Sequence, residues 1–291
     1  MFSGSITALI TPFRDGAVDK EAFVRLLEWQ IAEGTHGVVP AGTTGESPTL
    51  THEEHRDLIK LCVEVVDKRI PVIAGAGSNS TAEAIDFIKH AESVGADAVL
   101  SVTGYYNKPN AAGLVAHYEA IGKASTMPVF LYNIPPRTVI DISVETMAAI
   151  RKANPNVIGV KDATADISRV SATRRVVGED FIQLSGEDIT ALGFNAHGGL
   201  GCISVSANVA PKLCSQFQEA TLKGDYKTAL ALQDKLSALH KALFIEPNPA
   251  GVKYVASRLG ICAEDLRLPL VPVSPATRAV IDEALEIAGL V

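Results

Sequence analysis

Short, wholly apolar runs alternate with longer amphipathic stretches along most of the chain. Runs without polar alternation read as strands buried on both faces, and the amphipathic stretches between them as helices that cover a sheet. Ser5–Ile10 opens the series, and Asp19 is placed to cap a helix through about Glu33. Gly37–Ala41 is the second strand. Thr51-His52-Glu53-Glu54 matches a capping box, which predicts a helix from Thr51 to about Val66. Pro71–Ala74 and Ala98–Val102 read as the third and fourth strands, with Ser80-Thr81-Ala82-Glu83 as the cap of the helix between them. Pro128–Tyr132, the run Val157-Ile158-Gly159-Val160-Lys161, Phe181–Leu184 and Gly201–Val205 complete a set of eight.

Eight strands, each followed by a helical segment, predict an α/β fold, a (β/α)8 TIM barrel, over residues 1–224. After a helix from about Val209 to Leu222 the strand signal stops. Residues 225–291 read as a small C-terminal helical appendage with Pro247, Pro249, Pro269 and Pro272 as its breaks.

Composition narrows the function. The length of 291 residues and a hydrophobic fraction of 47% suit one large barrel with an addition. A net charge of −7 and the lack of any basic stripe argue against a nucleic acid as partner and favour a small molecule. No apolar run approaches bilayer length and the first residues lack a basic then apolar leader, which predicts a soluble cytoplasmic chain with no membrane partner. Cys62, Cys202, Cys214 and Cys262 stand far apart without metal-ligand spacing and are expected as buried thiols in a reducing compartment.

In such barrels the active site lies at the carboxyl ends of the strands. Those ends carry Gly42-Thr43-Thr44-Gly45-Glu46-Ser47, Thr103-Gly104-Tyr105-Tyr106-Asn107, Tyr132-Asn133-Ile134-Pro135-Pro136-Arg137, Lys161 and Ser185-Gly186-Glu187-Asp188. Lys161 at the end of a buried strand is partly desolvated, which favours the neutral amine that attacks a carbonyl. Its structural alternatives are a lysine snorkelling out of the strand end and one paired with Asp162. The glycines around Thr43 and Thr44 let backbone N–H groups approach a carboxylate; an ordinary turn is the plain alternative. Tyr132 offers proton transfer without histidine, or a satisfied core hydroxyl. Arg137, beside two prolines, offers a bidentate fork for a carboxylate, or a surface ion pair.

The motifs Gly42-Thr43-Thr44-Gly45-Glu46, Tyr105-Tyr106-Asn107, Tyr132-Asn133-Ile134-Pro135-x-Arg137-Thr138 and Gly159-Val160-Lys161-Asp162-Ala163-Thr164 together resemble the dihydrodipicolinate synthase and N-acetylneuraminate lyase family of pyruvate-dependent class I aldolases. The resemblance spans essentially the whole chain. It implies a lyase of the aldolase-type synthase class in which Lys161 forms an imine with pyruvate and no metal or organic cofactor takes part. It further implies that Thr44 and Gly186 hold the pyruvate carboxylate with Ile203 lining the pocket, and that Tyr132, Thr43 and Tyr106 relay protons, Tyr106 coming from the neighbouring subunit of a tight dimer.

Arg137, with Glu246-Pro247-Asn248-Pro249 and Arg267-Leu268-Pro269-Leu270, resembles the branch that uses L-aspartate 4-semialdehyde as acceptor, in the first committed step of diaminopimelate and lysine biosynthesis. A sister aldolase acting on a sugar acid such as N-acetylneuraminate is the alternative. The same resemblance implies a homotetramer built as a dimer of tight dimers. It also implies inhibition by L-lysine at Ser47, His52, His55, Asn79, Glu83 and Tyr105; taken alone, His52 and His55 read as a solvated first turn and Glu83 as part of a cap. Gly75-Ala76-Gly77 lacks the third glycine of a dinucleotide fingerprint and is a chance match. The chain departs from the family pattern at Val139, where glycine commonly follows Arg-Thr, and at Ala250-Gly251 in place of Ile-Pro.

Overall fold

The computed structural model describes residues 2–291. Eight parallel strands run around one barrel: β1 (Gly4–Ala8), β2 (Gly37–Val39), β3 (Ile73–Gly75), β4 (Ala98–Val102), β5 (Val129–Asn133), β6 (Val157–Asp162), β7 (Ile182–Ser185) and β8 (Gly201–Ser204). Their order is β2-β1-β8-β7-β6-β5-β4-β3. The ring closes between its two ends through a Val38–Val72 bridge, with Val38 N–H donating to Pro71 O and Gly75 N–H to Pro40 O, both at 3.0 Å.

The covering helices are α1 (Lys20–Ala32), α2 (His52–Val66), α3 (Thr81–Val94), α4 (Ala111–Ala124), α5 (Val144–Ala153), α6 (Ser168–Val177), α7 (Ala191–Ala196) and α8 (Pro211–Leu222). Asp19 caps α1 by accepting from Ala22 N–H, and both bonds of the Thr51–Glu54 capping box are made at α2. The cap expected at α3 is different: Ser80 occupies the position without a side-chain cap bond, and the Glu83 carboxylate instead accepts from Ser78 Oγ and pairs with His52. A hairpin of Phe13–Arg14 and Ala17–Val18 precedes α1, its strands too short to form an apolar run. Its signal is Asp15-Gly16, both with positive φ, as a tight two-residue hairpin turn requires.

Side chains alternate between two cores. In β5, Val129 and Leu131 face the helices while Phe130 and Tyr132 fill the barrel with Ile6, Leu184 and Ile203. Strand β6 breaks strict alternation. Val129 pairs with Val157, but Phe130 pairs with Gly159, so Ile158 is an extra residue. Val157 faces outward; without the bulge, Lys161, four residues later, would share that face. With it, Lys161 pairs with Tyr132 and points into the barrel. Gly159 is needed opposite Phe130, whose ring would lie 2.6 Å from an added Cβ.

Beyond Leu222 the chain is helical: α9 (Tyr226–Ala242), α10 (Ala250–Arg258) and α11 (Pro275–Ala288). Leu236, Leu239, Val252, Val255, Ile281 and Leu285 join the core that packs under the barrel helices. Among the described residues no helix is long and apolar enough to cross a membrane. Cys62, Cys202 and Cys214 are buried free thiols, whereas Cys262 stays partly exposed on the loop after α10.

Candidate active site

Lys161 and Tyr132 are neighbours across β6 and β5, and both are buried. The Lys161 Nζ stands 4.3 Å from the centre of the Tyr132 ring. The alternative pairing with Asp162 is not made. Asp162 faces the other way, where it accepts from Arg169 Nε at 3.2 Å and from Thr164 Oγ1 at 2.6 Å. Among the described residues, no carboxylate lies within ion-pair distance of Lys161.

The turn after β2 faces this amine across a cavity of about 300 Å³ lined by Thr43, Thr44, Tyr132 and Lys161. Ala41 and Glu46 take positive φ at its two ends. Its internal hydrogen bonds run from Gly45, Glu46 and Ser47 N–H back to Gly42 and Thr43 carbonyls. They leave the N–H groups of Thr43 and Thr44 without a protein acceptor among the described residues, as an anion-binding turn requires. Gly75 and Gly77 belong to this packing rather than to a nucleotide loop: a Cβ at Gly75 would lie 2.3 Å from Ala41 O, and one at Gly77 2.2 Å from Val102 N.

Gly186 does not line the cavity, but a Cβ on it would come within 3.1 Å of Lys161 Cε, so the backbone after β7 passes beside the lysine side chain. Ile203 is fully buried among the residues filling the barrel. Glu187 was not singled out by sequence. Burial and the neighbouring Asp188 raise its carboxyl above the usual range, while Lys161 and Arg137 pull the other way. Arg137 is exposed on a single helical turn, Pro135–Thr138, at the mouth and does not line the cavity. Val139 ends that turn with φ +66°, which accounts for the expectation of glycine there. Tyr106, 92% exposed, also lies outside its own chain's cavity.

The second residue set meets the same cavity. Ser47, His52, His55, Glu83 and Tyr105 line its outer part, and Asn79 stands beside it with Nδ2 donating to Tyr105 O at 3.1 Å. The His52 ring nitrogen lies 2.8 Å from Glu83 Oε1. His55 is not solvated: it is buried and stacked on Phe87 with centroids 4.1 Å apart, and burial lowers its pKa from 6.5 to about 4. Burial and the Glu83 charge raise the Tyr105 phenol.

Three anchors of the turn come from the C-terminal region, one of them on α10 and two in the loops around it. Asn248 Nδ2 donates to Thr44 Oγ1 at 3.0 Å, and Lys253 Nζ meets Glu46 Oε1 at 2.5 Å, with both partners of each pair buried. Arg267 N–H donates to the other Glu46 oxygen at 3.1 Å, and its guanidinium grips Glu54. These contacts link residues some two hundred positions apart in the chain, which no local pattern announces.

The model of the Dihydrodipicolinate synthetase family matches residues 1–288. A 4-hydroxy-tetrahydrodipicolinate synthase of Chelativorans sp. (strain BNC1) is 64% identical over 291 residues, covering 100% of this chain and 99% of the relative. A chloride inhibited dihydrodipicolinate synthase from Acinetobacter baumannii, solved in complex with pyruvate, superposes with a TM-score of 0.97 at 43% identity over 100% of both chains. The enzyme from Cyanidioschyzon merolae with lysine bound superposes at 0.96 and 35% identity, over 100% of this chain and 99% of that one. With the barrel, the inward lysine and a match of that length together, the chain belongs to the dihydrodipicolinate synthetase family and is an enzyme of it.

Proposed function

We propose that the protein is a 4-hydroxy-tetrahydrodipicolinate synthase, condensing pyruvate with L-aspartate 4-semialdehyde through an imine on Lys161. One observation carries the reading: a buried amine without a carboxylate partner and a turn with two N–H groups uncommitted, both among the described residues, face each other across one cavity. The pyruvate carboxylate rests at Thr44 and Gly186, with Ile203 in the barrel core behind them. The Lys161 amine adds to the ketone carbon and water leaves. The iminium then draws electrons from the methyl group, which loses a proton to give an enamine, so the lysine is itself the electron sink and no metal or organic cofactor enters. The enamine carbon bonds to the aldehyde carbon, and the new oxyanion is protonated through Tyr132, Thr43 and Tyr106 of the partner subunit. The substrate amine finally attacks the imine carbon, expels Lys161 and closes the ring.

Arg137 holds the acceptor carboxylate as a bidentate fork. The exposure of Tyr106 supports its service to a second copy, and the assembly is read as a homotetramer of two tight dimers. L-lysine acts as inhibitor at Ser47, His52, His55, Asn79, Glu83 and Tyr105, where Glu83 suits an ammonium group; the lysine-bound relative supports this. The enzyme works in the cytoplasm.

The test is pyruvate consumption by purified protein with L-aspartate 4-semialdehyde, run beside N-acetylmannosamine and then with millimolar L-lysine. Consumption with the semialdehyde alone, reduced by L-lysine, is the expected result. Consumption with the sugar alone would move the protein to the sugar-acid aldolases, and none with either would end the reading.

A further inference from the structure

The turn that faces Lys161 is gripped from outside the barrel, and one of the contacts is an amide donating to a hydroxyl that lines the cavity. Asn248 is 6% exposed, and its Nδ2 donates to Thr44 Oγ1 at 3.0 Å. A hydroxyl has one proton and two lone pairs. With an amide donor on one lone pair, the Thr44 proton is left to be given elsewhere, and a hydroxyl polarised in this way is a better donor to an anion. Thr44 is itself buried and lines the cavity shared with Lys161.

The backbone that carries Asn248 is anchored on both sides. Glu246, two residues before it, accepts from Ser274 N–H at 2.9 Å, and Pro249 opens α10. One turn further on, Lys253 pairs with Glu46, so both Thr44 and Glu46 are tied to the same C-terminal segment.

We propose that Asn248 is a positioning residue for the keto-acid site: it turns the Thr44 hydroxyl into a fixed donor toward the carboxylate of the substrate that forms the imine. The C-terminal helices are therefore part of substrate recognition and not only a support. This rests on the reading of Lys161 given under Proposed function. An aspartate at 248 has nearly the same shape but only accepts when ionised, so it takes the Thr44 proton and brings a like charge beside the substrate anion. An alanine leaves the hydroxyl free to rotate.

The experiment is borohydride trapping of pyruvate on the full-length protein at increasing pyruvate, read by mass spectrometry, together with the KM for both substrates. N248D should raise half-saturating pyruvate by about tenfold or more and N248A by about threefold, as expected for a charge-assisted hydrogen bond reversed or loosened. The trapped yield at saturation and the KM for the aldehyde should stay within about twofold, since they do not depend on this donor. In a Thr44→Val background, where no hydroxyl remains, the N248A penalty should vanish. Wild-type half-saturation in N248D, an equal rise in both KM values, or additivity with Thr44→Val each overturns the proposal.

Should the Asn248 variants fail to fold, Thr44→Val decides: it should raise half-saturating pyruvate about tenfold, and a wild-type value overturns the proposal. A wild-type protein that traps no pyruvate would overturn the reading of Lys161 itself, an outcome distinct from a variant that traps like wild type.

Discussion

Two lysines are buried in this molecule, on either side of the same turn, and their surroundings are opposite. Lys253 is completely enclosed, with its ammonium against Glu46, 2.7 Å from Asp265 O and 4.1 Å from the Phe13 ring centre. Every direction around it is answered by charge, carbonyl or π-face, and nothing can reach it. Lys161 has the Tyr132 ring on one side and an open cavity on the other. Burying an amine costs free energy unless it is paired. An amine that is buried, unpaired and accessible is therefore suited to chemistry, and one that is buried, paired and sealed is suited to holding two segments together.

The largest effect expected from breaking this contrast is at Lys161. Lys161→Ala should lower turnover by on the order of a thousandfold or more, since the nucleophile is lost outright. The melting temperature should not fall, because no partner is left behind. A collapse of the fold would mean that Lys161 is structural after all.

At Lys253 the outcome should be inverted. Lys253→Met leaves Glu46 charged and sealed from water, and should cost about 3–5 kcal/mol in urea unfolding. Adding Glu46→Gln should recover more than half of it. If the single substitution proves silent, the buried pair is not what fixes the C-terminal helices to the barrel.

Acid separates two groups by the pH window in which each costs stability, the sign being the same for both. The folded His55 pKa of about 4 lies below its ordinary value of 6.5, so between those values the unfolded chain binds the proton and the folded chain does not. Stability is lost as pH falls through that window, by up to roughly 3 kcal/mol. His55→Gln should flatten the pH 4 to 6.5 limb of a stability profile. Glu54, held down to about 2 chiefly by its hydrogen bonds to Arg267, acts lower: its contribution is complete above the ordinary glutamate pKa and is lost as pH falls towards 2. Glu54→Gln should remove that lower limb and leave the upper one intact.

The smallest effect is expected at the mouth. Val139 is β-branched and 69% exposed, and its φ of +66° is one that glycine adopts without strain. Val139→Gly should gain about 0.5–1 kcal/mol, with relief of strain partly offset by glycine's larger entropy loss. A thermal melt would register this as a small rise; a fall would mean that the valine side chain packs in the assembled enzyme.

Much of the frame was legible in advance because it is local. Apolar runs without alternation located the eight strands, and Asp19 and Thr51 marked helix starts through bonds within one turn. At Ser80 the same logic misled, since Glu83 had a stronger use with Ser78 and His52. His55 read as solvated because its neighbour in space, Phe87, lies on the next helix. The residues proposed for chemistry stood out through motif resemblance, whereas Glu187 and the role of Asn248 had no signal of their own.

By itself, then, the sequence determined the number and order of strands, the helix caps and the residue types gathered at one barrel mouth, because hydrophobic period and capping act over a few residues. Which way Lys161 points was settled only by the bulge at Ile158, visible in the pairing of β5 with β6. Asn248 meeting Thr44 and Lys253 meeting Glu46 likewise required the closed barrel, since these partners are brought together by packing and not by spacing along the chain.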